Sequence, residues 1–346
     1  ILGFSGDRGS LTFAAEWARE DRIRAADRDY SRYPVSASHP TDGWSTNTDQ
    51  AVFLSGSTRM ILRPGGDSRN PADYIRQDLN VGACQPNSLA NPGPGICTPG
   101  STAGKFNINQ DADLRIPREW RSAYLDGVYD INPNLRVRAN LLYSDRSSTR
   151  TTSGRPLTAD RFGIPISAQS YYNPFGRDIP RWYRRFQEVI RQTTNDLTTY
   201  RISAAVEGSF EIGSRAFDWD ASYLHNRNKL LLTGLGDMGI ERLRAAVGPS
   251  FLDAATGKVV CGVPGAPIAN CVPFNPFLPA GSAGSGSIAA DPALRDYLFH
   301  VEHDRGETKT EAFAANLTGS LWTLPAGELG FAVGAEHRRE SGEFTP

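Results

Sequence analysis

The chain has 346 residues, with 37 Lys and Arg against 38 Asp and Glu and a net charge of −1 at pH 7. That balance excludes a bulk electrostatic case for nucleic acid or a strongly acidic partner. Hydrophobic residues make up 39%, mean hydropathy is negative, and no window approaches the roughly 20 apolar residues of a transmembrane helix; a tilted barrel strand of ~10 residues, half of them apolar, escapes that test.

The opening ILGFSGDRGSLTF lacks the basic region, apolar run and small-residue cleavage site of a signal peptide, and reads as a start in mid-strand. After a turn at Ser5–Gly9, Leu11, Phe13, Ala15 and Trp17 alternate with Thr12, Ala14, Glu16 and Ala18. A long connection, about 22–117, holds a possible strand pair around Ala51–Leu62 and two cysteines, Cys84 and Cys97.

Residues 121–145 are the clearest stretch. Ala123, Leu125, Gly127 and Tyr129 share one parity and Ser122, Tyr124, Asp126 and Val128 the other. Beyond the turn at Asp130–Asn134, Leu135, Val137, Ala139, Leu141 and Tyr143 alternate with Arg136, Arg138, Asn140 and Ser144, Leu142 being the exception. Successive strand side chains point to opposite faces, so this is a hairpin with one apolar and one strongly polar face. An apolar face ending in tyrosines beside an arginine-bearing face suits the wall of a membrane barrel.

The pattern recurs. In 199–210 Tyr200, Ile202, Ala204, Val206 and Phe210 oppose Arg201, Ser203, Ala205, Glu207 and Ser209. In 217–227 Phe217, Trp219, Ala221 and Tyr223 oppose Asp218, Asp220, Ser222 and Asn226. Segments 312–321 and 329–338 alternate likewise, with Glu336 and Arg338 on the polar parity of the second. Period two over so many segments argues strands. Short turns at Ser5–Gly9, Asp130–Asn134, Glu211–Arg215 and Thr323–Gly327 alternate with long connections at about 22–117, 150–195 and 231–305. In an up-and-down sheet all short turns then fall on one rim and all long loops on the other, as in outer-membrane barrels. The expected class is all-β, antiparallel and up-and-down, with no domain boundary. Inside the third loop, 239–247 reads as a short helix and 280–287 (AGSAGSGS) as a flexible linker by composition.

Candidate chemistry is sparse. No nucleophile elbow, phosphate-binding loop or dinucleotide fingerprint is present, so no enzyme and no cofactor are expected. The four cysteines lie too far apart for ordinary zinc spacing and fit disulfides; three connectivities are open, and proximity favours Cys84–Cys97 and Cys261–Cys271. His300-Val301-Glu302-His303-Asp304 would put two imidazoles on one side of a helical turn, or else is a charged loop; no metal is expected. His225 and His337 fall on apolar faces. Arg181, Arg184, Arg185 and Arg191, interleaved with Trp182, Tyr183 and Phe186, are either contacts for lipopolysaccharide phosphates or an anionic ligand, or a solvated loop stem. Asn173-Pro174-Phe175 and Asn275-Pro276-Phe277 recur in two loops. Phe175 and Phe277 are either aromatic knobs touching ligand or, the favoured reading, anchors behind Asn-Pro turns.

Together GDRGSLTFAAEW (6–17), REWRSAYLDGVYDINPNLRVRANLLYSDR (118–146), YYNPFG (171–176), TYRISAAVEGSF with FDWDASYLHNR (199–227), CVPFNPF (271–277) and AANLTGSLWTLPAGELGFAVGAEHRRE (314–340) resemble the β-barrel of TonB-dependent outer-membrane receptors of Gram-negative bacteria. The resemblance covers nearly the whole chain. It implies barrels of about 22 strands closed by a plug domain, in the cell outer membrane among lipid and lipopolysaccharide. They import scarce nutrients such as ferric siderophores, cobalamin or oligosaccharides, energised by the TonB complex pulling on the plug. Neither a plug nor a TonB box is found in this chain. Eight strand signals, the first a stub at Ile1–Phe4, therefore suggest a section of a larger barrel, lying as an open curved sheet.

Arg136, Arg138, Arg201, Glu207, Asp218, Asp220, Glu336 and Arg338 would line the lumen. Trp182, Arg184, Arg185, Phe175 and Phe277 are the loop candidates for touching a small nutrient ligand. Two alternatives stand. A complete eight-stranded barrel of structural or adhesive role requires the first strand to pair with the last. A secreted β-sandwich binding or hydrolysing carbohydrate requires Leu135, Val137, Leu141, Phe331 and Val333 to be buried.

Overall fold

The computed structural model describes residues 1–34, 44–77 and 105–346. Eight strands form one antiparallel sheet whose spatial order is the chain order. They are β1 (Leu2–Gly6), β2 (Gly9–Glu20), β3 (Arg118–Asn132), β4 (Leu135–Thr152), β5 (Arg191–Ile212), β6 (Arg215–Met238), β7 (Phe299–Leu324) and β8 (Gly327–Thr345). Each odd-to-even step is a two-residue hairpin, at 7–8, 133–134, 213–214 and 325–326, all on one rim. At the third, Gly213 takes φ +68°, a left-handed conformation that glycine adopts without steric cost. The long connections leave from the opposite rim.

Among the described residues β1 and β8 pair along one edge only, so the sheet is open and the eight-stranded closed barrel is excluded. The sandwich alternative fails as well. None of Leu135, Val137, Leu141, Phe331 and Val333 is buried; Leu141 is 43% and Val333 58% exposed.

Four strands are longer than the alternation predicts. β5 begins at Arg191 rather than 199, β6 ends at Met238 rather than 227, β7 begins at Phe299, and β4 runs on to Thr152. Their upper halves carry runs such as Leu230-Leu231-Leu232 that abolish period two. The ladder continues residue by residue all the same, with Asn195 opposite Leu232 and Leu232 opposite Asp304.

The hydrophobic core lies beyond the sheet. Its buried members come from the three long connections, joined by Met238 at the end of β6 and Phe299 at the start of β7. A second sheet crosses between connections in the order 155–158, 182–186, 52–55, 58–62, 74–76. It includes the expected strand pair at 51–62, seen as Val52–Ser55 and Thr58–Leu62. Helix α1 (Ile240–Ala246) falls where 239–247 was read as helical, and α2 (Pro292–Leu298) follows it. The Asp291 carboxylate caps α2, accepting from the Ala293 and Leu294 N–H groups, with proline in the first turn.

The flexible-linker reading of 280–287 is corrected. Ser287 and Ile288 are buried, the Asn275 N–H donates to the Gly286 carbonyl at 2.9 Å, and the Ser282 hydroxyl donates to the Pro279 carbonyl at 2.7 Å. Small residues serve close approach here: a Cβ on Gly286 would stand 2.7 Å from the Tyr172 ring. Cys261 and Cys271 form a disulfide with a Cα–Cα distance of 5.9 Å. Cys84 and Cys97 lie outside the described residues.

Candidate functional site

Register assigns every strand residue to a face, because partners across an antiparallel ladder point the same way. Asp130, Arg136, Glu207, Asp220, Asn316 and Gly334 form one row. One step toward the short-turn rim, Asp218 lies beside Ser209. Higher rows bring in Arg138, whose row ends in Glu336, and then Arg338 and Arg201. All eight lumen candidates therefore stand on one face. That face also carries Val128, Leu142 and Leu224, so it is polar without being uniformly so.

The lower rows enclose a hollow of about 530 Å³ whose wall includes Asp130, Glu207, Asp218, Asp220 and Arg136. Arg136 Nε donates to Asp130 Oδ1 at 2.7 Å, and Asn316 Nδ2 donates to both Asp220 oxygens at 2.9 and 3.2 Å. Above it the Asn140 amide donates to the Ser203 hydroxyl at 2.7 Å, and a chain of Thr199, Asn228 and Thr308 crosses three strands. Arg338 pairs with Glu336 at 2.9 Å. Among the described residues Arg138 and Arg201 have no ion pair; both are exposed. Such a face binds water and polar groups readily and has no acid, base or nucleophile set apart by burial.

The loop candidates are placed differently. Trp182 is fully buried and its Nε1 donates to the Ile164 carbonyl at 2.7 Å. Arg184, 1% exposed, stacks on Phe186 and Phe274, donates to the carbonyls of Pro276 and Leu278, and pairs with Glu188. Arg185 donates to the Ser153 hydroxyl and the Gly154 carbonyl and lies over the Phe106 ring. Burial, aided by Arg191, pushes its pKa down to about 10.

Both Asn-Pro-Phe motifs build the same device. Asn173 Oδ1 accepts from the Phe175 N–H, Asn275 Oδ1 from the Phe277 N–H, and both phenyl rings converge on Phe53 and Tyr74. Phe277 is fully buried and Phe175 partly so. The five loop candidates, Phe175, Trp182, Arg184, Arg185 and Phe277, thus help hold three connections together, and the four buried ones offer a ligand no surface.

The HVEHD segment lies in β7, so the helical-turn geometry is corrected to a strand: His300 and His303, three apart, point to opposite faces. His300 meets Glu302 at 3.1 Å and His303 meets Thr233 at 3.3 Å. Among the described residues no group of three or more His, Cys, Asp or Glu is placed to hold a metal.

Sequence reading missed a cleft of about 820 Å³ among the three connections, walled in part by Arg69, Tyr171, Tyr172, Lys258, Ser285 and Asp291. Arg69 stacks on Tyr171 at 4.1 Å, the Tyr172 and Ser285 hydroxyls meet at 2.9 Å, and burial raises the Tyr172 pKa. YYNPFG and the Gly/Ser-rich 280–287 were its visible signals.

No protein-family model and no curated protein matches the chain. Among solved structures, the crystal structure of the siderophore receptor PiuA from Acinetobacter baumannii aligns at TM-score 0.25 and 10% identity, covering 69% of this chain and 31% of the receptor's. The chain thus spans less than a third of that receptor's length, and a likeness this weak carries no argument.

Proposed function

We propose that this chain is part of the wall of an outer-membrane β-barrel of the TonB-dependent transporter kind, non-enzymatic, with its long connections forming an outward cap. The observation that carries the reading is a bounded apolar band on the face opposite the lumen candidates. Its lower edge is aromatic: Phe210 stacks on Phe217 at 5.2 Å, and Phe331 lies 6.0 Å from Phe217. Its upper edge carries Tyr143 and Tyr200, with rings 5.4 Å apart, and Tyr223 with Phe313 lies two rows below. Between those edges stand Val137, Leu141, Ile202, Val206, Ala221, Leu317 and Val333.

On β5 the band is about 11 residues tall, from Tyr200 to Phe210, against the ~9–11 a tilted membrane strand needs; on β6 it is shorter, from Phe217 to Tyr223, because His225, Glu311 and Arg339 share the row of Ile202. Aromatic girdles at both edges are what membrane–water interfaces select. Above the band the strands continue into the cap. A scarce nutrient entering through such a cap meets the charged lumen wall next, and energy would come from the TonB complex acting on a plug outside this chain.

Single cysteines test the wall in outer-membrane vesicles from cells expressing the full-length protein. Val206→Cys, Ala221→Cys and Val333→Cys should react with a lipophilic maleimide and resist a charged, water-soluble one. Ala205→Cys and Ser222→Cys should do the reverse. Uniform labelling by the charged reagent would overturn the reading.

A further inference from the structure

The cleft among the three connections, about 820 Å³, falls within the ~300–1,000 Å³ of small-molecule sites. Each connection supplies polar groups to it. Asp67 and Arg69 come from the first, Tyr171 and Tyr172 from the second, Lys258, Ser285 and Asp291 from the third. The Arg69 guanidinium lies over the Tyr171 ring and donates once to its hydroxyl at 2.7 Å, leaving its other N–H donors open. Among the described residues the exposed Lys258 ammonium has no ion pair. Asp67 Oδ1 accepts from the Arg69 N–H at 2.9 Å and Asp291 Oδ1 from the Ala293 N–H at 2.9 Å. The second oxygen of each carboxylate has no hydrogen-bond donor among the described residues. Around the Tyr172 hydroxyl, Arg69 and Asp291 act on the pKa in opposite directions. The charges on the cleft wall are thus two cations and two carboxylates, with no net sign. The wall is also held in place. Lys258 opens the second strand of the hairpin Ser250–Asp253 with Lys258–Val263, and the Cys261–Cys271 disulfide ties that hairpin to Val272 and Pro273 on the same cleft.

We propose that this cleft binds a neutral oligosaccharide, whose hydroxyls hydrogen-bond Arg69, Lys258, Asp67 and Asp291. As the entry point of a cargo it rests on the transporter reading above; as a binding site it stands on the cleft alone. The donor and acceptor balance selects the ligand. A sugar hydroxyl both donates and accepts, so one ring can engage a guanidinium, an ammonium and a carboxylate together. An anionic chelate would set its charge against two carboxylates, and a cation would set its own against Arg69 and Lys258. The tyrosines fit the same ligand. Their rings stand 5.4 Å apart at 83°, apolar in body and hydroxylated at the tip. A pyranose ring is built likewise, with apolar C–H faces and a hydroxylated rim. Fixed walls spare such a ligand part of the ordering cost of binding.

The test titrates the full-length protein in neutral detergent, by calorimetry, with linear tetrasaccharides and hexasaccharides of glucose, mannose, galactose and xylose. Tetragalacturonate and a ferric tris-catecholate serve as anionic comparators. At least one neutral sugar should bind with a Kd below about 1 mM. Arg69→Ala and Lys258→Ala should each weaken that binding about tenfold, the loss of one charge-assisted hydrogen bond. Both side chains are exposed, so the melting temperature should stay at the wild-type value. Arg28→Ala and Arg161→Ala, exposed cations outside the cleft wall, should bind as wild type does. Absence of binding by every neutral sugar overturns the proposal. So does unchanged affinity in both cleft variants, an equal loss in the controls, or tighter Arg69-dependent binding of either anion. The maleimide pattern of the wall, measured in parallel, decides the membrane reading separately: uniform labelling overturns that reading and leaves the sugar titration to stand or fall by itself.

Discussion

Arg184 and Glu188 face each other inside the cap, 1% and 4% exposed at the side chain, with Nη1 to Oε2 at 3.1 Å. Removing one partner of such a pair strands a charge in a poorly solvated place. Arg184→Met is therefore expected to cost about 3–5 kcal/mol, whereas Arg184→Met with Glu188→Leu should recover much of the loss. Chemical denaturation followed by hydrogen exchange at residues 182–188 measures both. Nearby, burial raises the Asp49 pKa, Glu188 adding to the rise and Arg184 opposing it. An acid whose folded pKa exceeds its unfolded value binds more protons when folded, so stability falls as pH rises between the two values, and the cost is complete above them. Asp49→Asn should raise the melting temperature at pH 7, with the gain shrinking on acidification. Asp73 runs the other way. The Asp67 N–H and then the Arg63 guanidinium hold its carboxyl below the usual range. Its contribution is present above the unfolded pKa and is lost as pH falls through the folded one. Asp73→Asn should lower the melting temperature at pH 7 and converge on wild type in acid. Matching slopes for the two variants across that titration would contradict these environments.

At the scale of elements, the cap depends on close backbone approach. A Cβ on Gly154 would lie 2.0 Å from the Phe186 carbonyl oxygen and 2.8 Å from Gln187 Cα, and backbone cannot yield as a side-chain tip can. Gly154→Ala should therefore push strand Arg155–Thr158 off Trp182–Phe186, at a cost of about 2–3 kcal/mol. Faster hydrogen exchange confined to 155–158 and 182–186 is the expected signature; uniform exchange would contradict it. None of this was legible in sequence, since the partners are local neither in number nor in pattern: Asn275 donates to Ser68, 207 residues away. The lower halves of β4, β5 and β6 were legible because a two-faced environment imposes period two on them. Their upper halves were not, because above the band both faces meet the cap or solvent and Leu, Thr and Gly occur on either. Of the polar-face row from Asp130 to Asn316, Arg136, Glu207 and Asp220 could be named from sequence, whereas Asp130 reads there as part of the turn and nothing singles out Asn316. Its order across strands needed the register, which places Asp220 beside Glu207 and Asn316. The Asp-Pro start of α2 was a readable cap that the composition of the surrounding loop obscured.

For the whole molecule the decisive quantity is the apolar surface left on one side of the wall. Ile202 is 47%, Phe313 55% and Val333 58% exposed, among many large side chains in the same rows. A contiguous patch of this kind is costly in water and is normally covered. The neighbours Ala205 and Val206 turn that statement into a measurement, since they differ by one residue in the chain and by the thickness of the sheet in space. Ala205 stands in the row of Arg138 and Ser222, Val206 in the row of Val137 and Ala221. Under the membrane reading Val206→Arg puts a guanidinium near the middle of the hydrocarbon and should cost about 2–4 kcal/mol, whereas Ala205→Arg faces a wet lumen already bearing arginines. The fraction of heat-modifiable, folded protein in outer-membrane extracts reads the difference. Val206→Arg should fall well below wild type and Ala205→Arg should match it. Equal yields would mean that the two faces of the sheet do not meet different solvents, and the band bounded by Tyr200 and Phe210 would then need another explanation.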